Sequence, residues 1–410
     1  MKNPFLSRLN QLDHIYPSVI KIPNLAKKAV AKTVPMYLNR KLSNNHMMDR
    51  MTVIVTDVSN LICDHCFIST TEREKRAWEM GLEEYEKFFS SAKGTIAQVH
   101  FTGGEPTIRK DFPEIVITGA ELGDVSNSTI FTNGIGKKRI LSQVEKILSG
   151  CSTRIGFQVS IDGEQETHDK IRGRRGALER TIATMEELKK IKQNNPSRID
   201  RVNVNTAISK QNLNKLAEII DIVKSTGCSH TFCFARDSRI HAFNLPKGES
   251  LTEYNTVNFD SFLTADEMKS ALKVIHENLW DLEPSNLSHA TNRVTLETTS
   301  TNFKRKYSKV KCYSGFSNLI LLPDGSVAEC EFLNKFANMK EFDWNFINML
   351  ESDTYIDHMN RNRNCWCTHE CSVGLSIPYH PHLVEDLLHG ANGTKEIGEP
   401  VPLTIPITNE

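Results

Sequence analysis

The chain has no run of eighteen apolar residues, so nothing in it is long enough to span a bilayer as a helix. It has no net charge: 50 Lys and Arg stand against 50 Asp and Glu, which removes the global field that would point to a nucleic-acid partner. Its N-terminus lacks the charged, apolar and small-residue regions of a secretory signal. No repeat shorter than strand–helix alternation is visible. What remains is a composition of the soluble globular kind, 39% hydrophobic and 24% charged over 410 residues, long enough for two or three domains and a sizeable core. Ten cysteines without a signal point to metal chemistry rather than a disulfide frame, and to the reducing cytoplasm.

Charge is uneven locally. Residues 1–50 hold nine Lys or Arg and two Asp or Glu. Within them, Pro23-Asn-Leu-Ala-Lys-Lys-Ala-Val-Ala-Lys-Thr-Val mixes apolar and basic residues at roughly helical spacing. Such a segment could make peripheral contact with an anionic membrane surface or hold a partner. The plainer reading is a solvated helix lying across the rest of the fold.

Six short runs read as buried strands, rich in β-branched residues or alternating in polarity: about 52–57, 97–101, 128–132, 155–161, 202–207 and 230–234. Helical patterns lie between most of them. Glu72–Ser91 is long and charged on one side. Lys138–Leu148 puts Ile140, Val144 and Ile147 on one face, and Gly176–Ile191 and Leu213–Lys224 repeat the theme. The alternation predicts an α/β fold with a parallel sheet and right-handed crossovers. Six units make a partial (βα)6 barrel, open on one side for a large substrate.

The polar loops follow the strands. Ser59-Asn-Leu-Ile-Cys63-Asp-His-Cys66, Phe101-Thr-Gly-Gly-Glu-Pro106, Phe131-Thr-Asn-Gly134 and Ser160-Ile-Asp-Gly163 each come just after an apolar run. They therefore fall on one face of the barrel, where active sites are built. C-x-x-C alone is a weak signal, shared with zinc and redox sites. Taken with Gly103-Gly-Glu-Pro106, Ser160-Ile-Asp-Gly and His168-Asp-Lys-Ile-Arg172-Gly, in that order, it resembles the radical S-adenosylmethionine (radical SAM) superfamily over residues 51–240. The resemblance implies a 4Fe–4S cluster on a C-x-x-x-C-x-x-C loop and S-adenosylmethionine as cofactor. One electron would cleave that cofactor to a 5′-deoxyadenosyl radical, which removes a hydrogen atom from substrate.

The residues suit those tasks. Thiolates are soft ligands for iron–sulfur clusters. Gly103 and Gly104 would let backbone approach a ligand with no Cβ in the way. Glu105 can pair with the cofactor's ammonium, and Pro106 stiffens the turn. Ser160 and Asp162 could hydrogen-bond the ribose or the substrate. Arg172 could clamp the methionyl carboxylate in a bidentate manner, its plain alternative being a surface ion pair. Asn205 is expected to face the adenosine, its alternative being a strand-end turn former.

One ligand is missing. Ser59 stands where the first cysteine of the cradle belongs, beside Cys63 and Cys66. A hydroxyl is a far weaker acid and a harder ligand than a thiol. Three readings are open: Ser59 ligates as an alkoxide, a cysteine-to-serine change has been introduced to block turnover, or a natural relative has kept the scaffold and lost the chemistry. Asp57 is near enough in sequence to be weighed as a substitute, although strand geometry points it elsewhere.

A second cysteine set lies at Cys312, Cys330, Cys365, Cys367 and Cys371. Leu319–Leu322, the Asp-Gly turn at Gly325 and the run to Cys330 read as a β-hairpin. The pattern is similar to the twitch or SPASM auxiliary-cluster domains of radical SAM enzymes, and five cysteines suffice for one auxiliary 4Fe–4S cluster on Cys312, Cys330 and two of the last three. A four-thiolate zinc site is the rival. His369 beside them reads as a supporting or surface group. Cys151, Cys228 and Cys233 read as small buried apolar residues. Thr264-Ala-Asp-Glu267 is a capping box before a helix with Met268, Ala271, Leu272, Ile275 and Leu279 on one stripe, expected to pack on the barrel's open side. Asn255–Asp260 reads as a connector.

The expected organisation is a basic extension (1–50), a barrel (51–240), a bridging helix (241–305), a cysteine-rich hairpin/helix auxiliary-cluster domain (306–375) and a tail (376–410). The expected activity is hydrogen abstraction from a peptide or protein side chain, ending in oxidation, epimerisation or cross-linking. A carbohydrate or lipid-linked substrate and a non-catalytic SAM- or peptide-binding relative are the alternatives. The implied partners are the substrate and an electron donor such as flavodoxin or ferredoxin, with no nucleic acid.

Overall fold

The computed structural model describes residues 21, 23–44, 48–66, 78–236, 242–243, 261–283, 285–306, 308, 310–360 and 366–389. A basic helix, α1 (Asn24–Asn44), precedes strand β1 (Met48–Ile54). Five further strands follow: β2 (Ile96–Thr102), β3 (Asn127–Thr132), β4 (Arg154–Ser160), β5 (Ile199–Ile208) and β6 (Ser229–Phe234). Neighbours pair in parallel throughout, in sequence order. The helices between them include α2 (Leu82–Ser91), α3 (Phe112–Glu121), α4 (Lys137–Gly150), α5 (Gln165–Ile171), α6 (Ala177–Asn194) and α7 (Leu216–Thr226). The six strands expected from the apolar runs are all present. The helix expected from Glu72 instead starts at Leu82, capped at Gly81: residues 78–81 are not α-helical, and residues 67–77 lie outside the described ones.

The helices bury the faces their periodicity marks. Ile140, Val144 and Ile147 of α4 are at most 2% exposed and join Val99, Phe101, Ile130, Phe157 and Val159 of the sheet in one core. At about 25 cal/mol per Å² of apolar surface removed from water, this core is the main term holding the sheet and helices together.

The sheet does not stop at the barrel. A short strand β7 (Ala242–Phe243) pairs with β11 (Trp366–Cys367) apart from this sheet, while strands β8 (Asn318–Leu321), β9 (Ser326–Ala328) and β10 (Ala337–Asn338) extend it, in the order β10-β9-β8-β1-β2-β3-β4-β5-β6. The expected hairpin is there: β8 and β9 are antiparallel, and Gly325 turns at φ 81°. Its inner strand β8 lies parallel to β1, pairing Leu321 with Val53. The cysteine-rich region is thus stitched to the first barrel strand by backbone hydrogen bonds.

The open side at β6 is closed by helices. The capping box holds as expected, with Thr264 Oγ1 accepting from Glu267 N and Glu267 Oε2 accepting from Thr264 N. It starts α8 (Ala265–Ile275), whose Met268, Ala271 and Ile275 pack with Ile208, Phe232 and Phe234. The strand edge itself is taken by an unanticipated helix, α9 (Leu287–Arg305). Asn292 on α9 both accepts from Phe232 N (3.0 Å) and donates to Phe232 O (2.8 Å), and Glu370 Oε1 accepts from Phe234 N (2.7 Å). Side chains thus satisfy the edge that a further strand would otherwise claim. Short helices α10 (Phe346–Leu350), α11 (Asp353–Asn360), α12 (Glu370–Ser376) and α13 (Pro381–Leu388) complete the C-terminal part. The connector at 255–260 and the tail beyond residue 389 lie outside the described residues.

Three buried histidines make the fold acid-sensitive. Burial pushes His230 down to about 3 and His168 and His380 to about 4. His168 Nδ1 accepts from Asp162 N, which requires that nitrogen to be unprotonated. Each folded pKa lies below the unfolded value of 6.5, so the associated stability is fully present above pH 6.5. It drains as pH falls from 6.5 towards 4, at up to about 1.4 kcal/mol per histidine per pH unit. Urea midpoints measured from pH 7 to 4.5 should fall steeply, and His230→Gln should flatten the slope. A flat profile would show that these rings are not held neutral.

Candidate active site

The carboxyl ends of all six strands meet at one cavity of about 260 Å³. Every residue proposed for the cofactor lines it: Gly103, Gly104, Glu105, Ser160, Asp162, Arg172 and Asn205. Ser59, Cys63 and Cys66 line it too, with Asp57 and His65 of the same loop. Residues gathered from distant points of the chain thus converge at the mouth where parallel-sheet enzymes place their chemistry.

The diglycine turn works differently from expectation. A Cβ on Gly103, whose φ is +150°, would sit 2.3 Å from Thr56 O, and one on Gly104 would sit 2.3 Å from Val58 O. The backbone of the β1 loop is by itself enough to require these glycines. The close approach is used: Gly104 N donates to Thr56 O (2.8 Å) and Glu105 N to Val58 O (2.9 Å). The second loop is thereby zipped onto the start of the cysteine loop.

Glu105 continues the zipper to the third strand. It is 1% exposed. Its Oε1 accepts from Thr107 N, Thr107 Oγ1 and Thr132 Oγ1, and its Oε2 from Asn133 N at 2.8 Å. Burial pushes its carboxyl up, and the four hydrogen bonds work against that rise. An ammonium pairing at Glu105 would have to use the remaining lone pair of Oε2. Asn133 Nδ2 also donates to Asn60 Oδ1 (2.8 Å), and Asn60 Nδ2 to Ile135 O, so the cysteine loop is tied to two neighbours.

Asp162 and Arg172, proposed for separate ligand contacts, pair with each other. Arg172 Nη2 lies 2.5 Å from Asp162 Oδ2, while Arg172 Nη1 donates to Cys63 Sγ at 3.7 Å. Asp162 is fully buried, and its Oδ1 accepts from Ala207 N. Burial pushes the Asp162 carboxyl up, but Arg172 and the neighbouring histidines outweigh it and hold it below the usual range. Burial raises the Cys63 thiol, with Arg172 opposing. Arg172 is thus neither a surface ion pair nor an unengaged clamp. Asn205 donates to Cys233 Sγ (3.3 Å) and accepts from Thr231, and Ser160 lines the wall nearby. Cys233, read from sequence as a small apolar residue, faces this cavity, and burial pushes its thiol up to about 12. Arg236 at the end of β6 was also missed. It binds Glu370 Oε2 (2.6 Å) and Glu331 Oε2 (3.0 Å), joining the cavity wall to the C-terminal part. Its sequence context carries no motif.

The donor set can be weighed against an iron–sulfur cluster. Cys63 and Cys66 supply two thiols. Ser59 supplies a hydroxyl, whose Oγ accepts from Leu61 N at 3.2 Å. The residues fit a cluster at two positions with sulfur and at the third only with oxygen, one thiolate short of the full cradle. Among the described residues no three His, Cys, Asp or Glu side chains converge as a metal site. In the C-terminal set, Cys312 and Cys371 are exposed and Cys330 and Cys367 half-buried, while Cys365 lies outside the described residues. His369 is buried rather than superficial. Burial and Arg236 push it down, but its ion pair with Glu331 (3.0 Å) and its bond to Cys371 lift it to about 9.

Comparison with known proteins agrees with this geometry. Residues 53–223 match the radical SAM superfamily model. Over 198 residues the chain is 25% identical to the sporulation killing factor maturation protein SkfB of Bacillus subtilis (strain 168), covering 47% of this chain and 43% of that protein. Over 174 residues it is 32% identical to the AdoMet-dependent heme synthase of Methanosarcina barkeri, covering 41% and 45%. Each match spans less than half of the relative's own length. The crystal structure of Streptococcus suis SuiB bound to precursor peptide SuiA superposes with a TM-score of 0.56 at 14% identity, covering 85% of this chain and 75% of that one, which shows the shared fold. The matched relatives are enzymes, and the part of this chain that is similar to the radical SAM superfamily, residues 53–223, is the part that carries the end of β1, strands β2 to β5 and the cysteine loop.

Proposed function

We propose that the chain is a radical SAM enzyme acting on a peptide or protein side chain. The observation that carries this is the convergence of Ser59, Cys63, Cys66, Glu105, Asp162, Arg172 and Asn205 on one cavity at the strand ends. The peptide reading is supported by a relative that is a sporulation killing factor maturation protein and by a fold neighbour whose structure holds a precursor peptide. Oxidation, epimerisation and cross-linking of a residue all remain within it.

Cys63, Cys66 and Ser59 would hold a 4Fe–4S cluster beside S-adenosylmethionine. When bound, that pair supplies one electron and a carbon radical able to remove a hydrogen atom. The chain's own part is positioning. Arg172 holds positive charge against Cys63, and Asp162 fixes Arg172. Glu105 locks three loops into one rim, and Asn205 with Ser160 offers hydrogen bonds on the far wall. The C-terminal cysteines Cys312 and Cys330, with two of Cys365, Cys367 and Cys371, would carry one auxiliary cluster within a module of about residues 306–375. A small iron–sulfur or flavin protein of the flavodoxin or ferredoxin kind would deliver electrons in the cytoplasm.

Ser59 favours keeping the non-catalytic reading as the second one. The test is anaerobic reconstitution of the chain and of Ser59→Cys, followed by S-adenosylmethionine, a strong reductant and any short peptide encoded beside the gene. Ser59→Cys is expected to release 5′-deoxyadenosine at least about tenfold faster than the chain itself, because a third thiolate secures the cluster. Cofactor binding without cleavage by either protein would support the non-catalytic relative. Neither binding nor cleavage would end the proposal.

A further inference from the structure

Among the described residues, helix α1 packs through one face. Lys27, Ala31 and Leu38 are 2–6% exposed, and Ala31 joins Val384 and Leu388 of α13 while Leu38 joins Tyr313 and Tyr379. Turned away from that contact, at helical spacing, are Leu25, Ala29, Lys32, Thr33 and Met36, with Val30 and Lys28 on its two flanks. Leu25 is 82% exposed, Met36 65% and Val30 37%. They are three of the six large hydrophobic residues exposed among the described ones. The helix carries Lys27, Lys28, Lys32, Arg40 and Lys41 and no Asp or Glu.

We propose that the outward face of α1 docks on an anionic lipid bilayer. A helix that only needed solvation would keep large apolar side chains off its outward face, and this one exposes Leu25 and Met36 there beside Thr33 and Lys32. The apolar side chains can enter the acyl boundary while Lys28 and Lys32 reach the headgroups, the arrangement of interfacial helices. A protein partner is less suited, because protein interfaces favour aromatic and Arg side chains and avoid Lys at their centre. The charge is of one sign, complementary to anionic headgroups. No helix among the described residues is long and apolar enough to cross a membrane, so the contact is peripheral. It would hold the enzyme at a surface without touching the cavity.

The full chain is floated with vesicles of phosphatidylcholine and with vesicles containing phosphatidylglycerol. Binding is expected only to the anionic vesicles, weakened at least about tenfold by Lys28→Glu/Lys32→Glu, by Leu25→Glu/Met36→Glu, and by about 0.5 M salt. All four side chains are exposed, so unchanged thermal melting of the variants serves as the folding control. Absence of binding to anionic vesicles overturns the proposal, as does binding that both double variants leave intact. Capture of an acidic polypeptide by this face, without vesicle binding, assigns it to a protein and overturns the lipid reading.

Discussion

Replacing Arg172 by alanine is expected to cost about 3–5 kcal/mol of folding stability, because removing one partner strands a buried charge. Asp162 has no exposure, and its Oδ2 faces Arg172 at 2.5 Å. Without the guanidinium, only Ala207 N and more distant histidines oppose the desolvation of its carboxylate. Its pKa would then climb, so the loss should be greatest at neutral pH and shrink in acid. The same change removes the cation that opposes the rise of the Cys63 thiol, so Cys63 should alkylate more slowly at a given pH. Urea unfolding of Arg172→Ala, Asp162→Asn and the double variant measures this. The double variant should recover part of the loss, since both charges are then gone. A loss under about 1 kcal/mol in the single variant would place the pair with exposed ion pairs and contradict the account.

Glu105→Ala should be nearly as damaging, for a different reason. It leaves the backbone N–H groups of Thr107 and Asn133 and the hydroxyls of Thr107 and Thr132 without their acceptor. Each unsatisfied buried donor costs roughly 1–3 kcal/mol, although water entering the cavity will meet part of that. The total expected is about 2–5 kcal/mol, with faster hydrogen exchange at Asn133 and Thr107 and loss of S-adenosylmethionine affinity. Glu105→Gln should fall between, because its Oε1 can keep some of the donors. Unchanged exchange at Asn133 in the alanine variant would mean that the carboxylate does not bind the loops together.

These two residues show what a sequence can and cannot reveal. The strands were legible because six β-branched runs recur between helical periods. The site was legible because polar loops after successive parallel strands must fall on one face. The roles inside the site were less so. Sequence marks Gly103 and Gly104 as positions needing no Cβ, but not whether a ligand or the carbonyls of Thr56 and Val58 demand it. Arg172 and Asp162 are ten residues apart through a loop and α5, and only the fold reveals that they meet. Helix α9 escaped because it buries His289, Arg293, Thr298, Thr299 and Asn302 in place of an apolar stripe, which erases the hydrophobic period. Cys233 sits in an alternating strand whose inward face could have been counted from Phe232 and Phe234, but nothing in its neighbours marks the cavity. The union of β8 with β1 is a pairing between residues some 270 positions apart, invisible to any local pattern.

The most direct test of the central claim is electron paramagnetic resonance on the anaerobically reconstituted, reduced Ser59→Cys chain, with and without S-adenosylmethionine. The account predicts a 4Fe–4S signal that shifts when the cofactor is added, and loss of that shift when Cys63 is also replaced by alanine. A reconstituted chain whose signal ignores the cofactor, or that holds no cluster dependent on Cys63, would mean that the cavity does not bring iron and S-adenosylmethionine together.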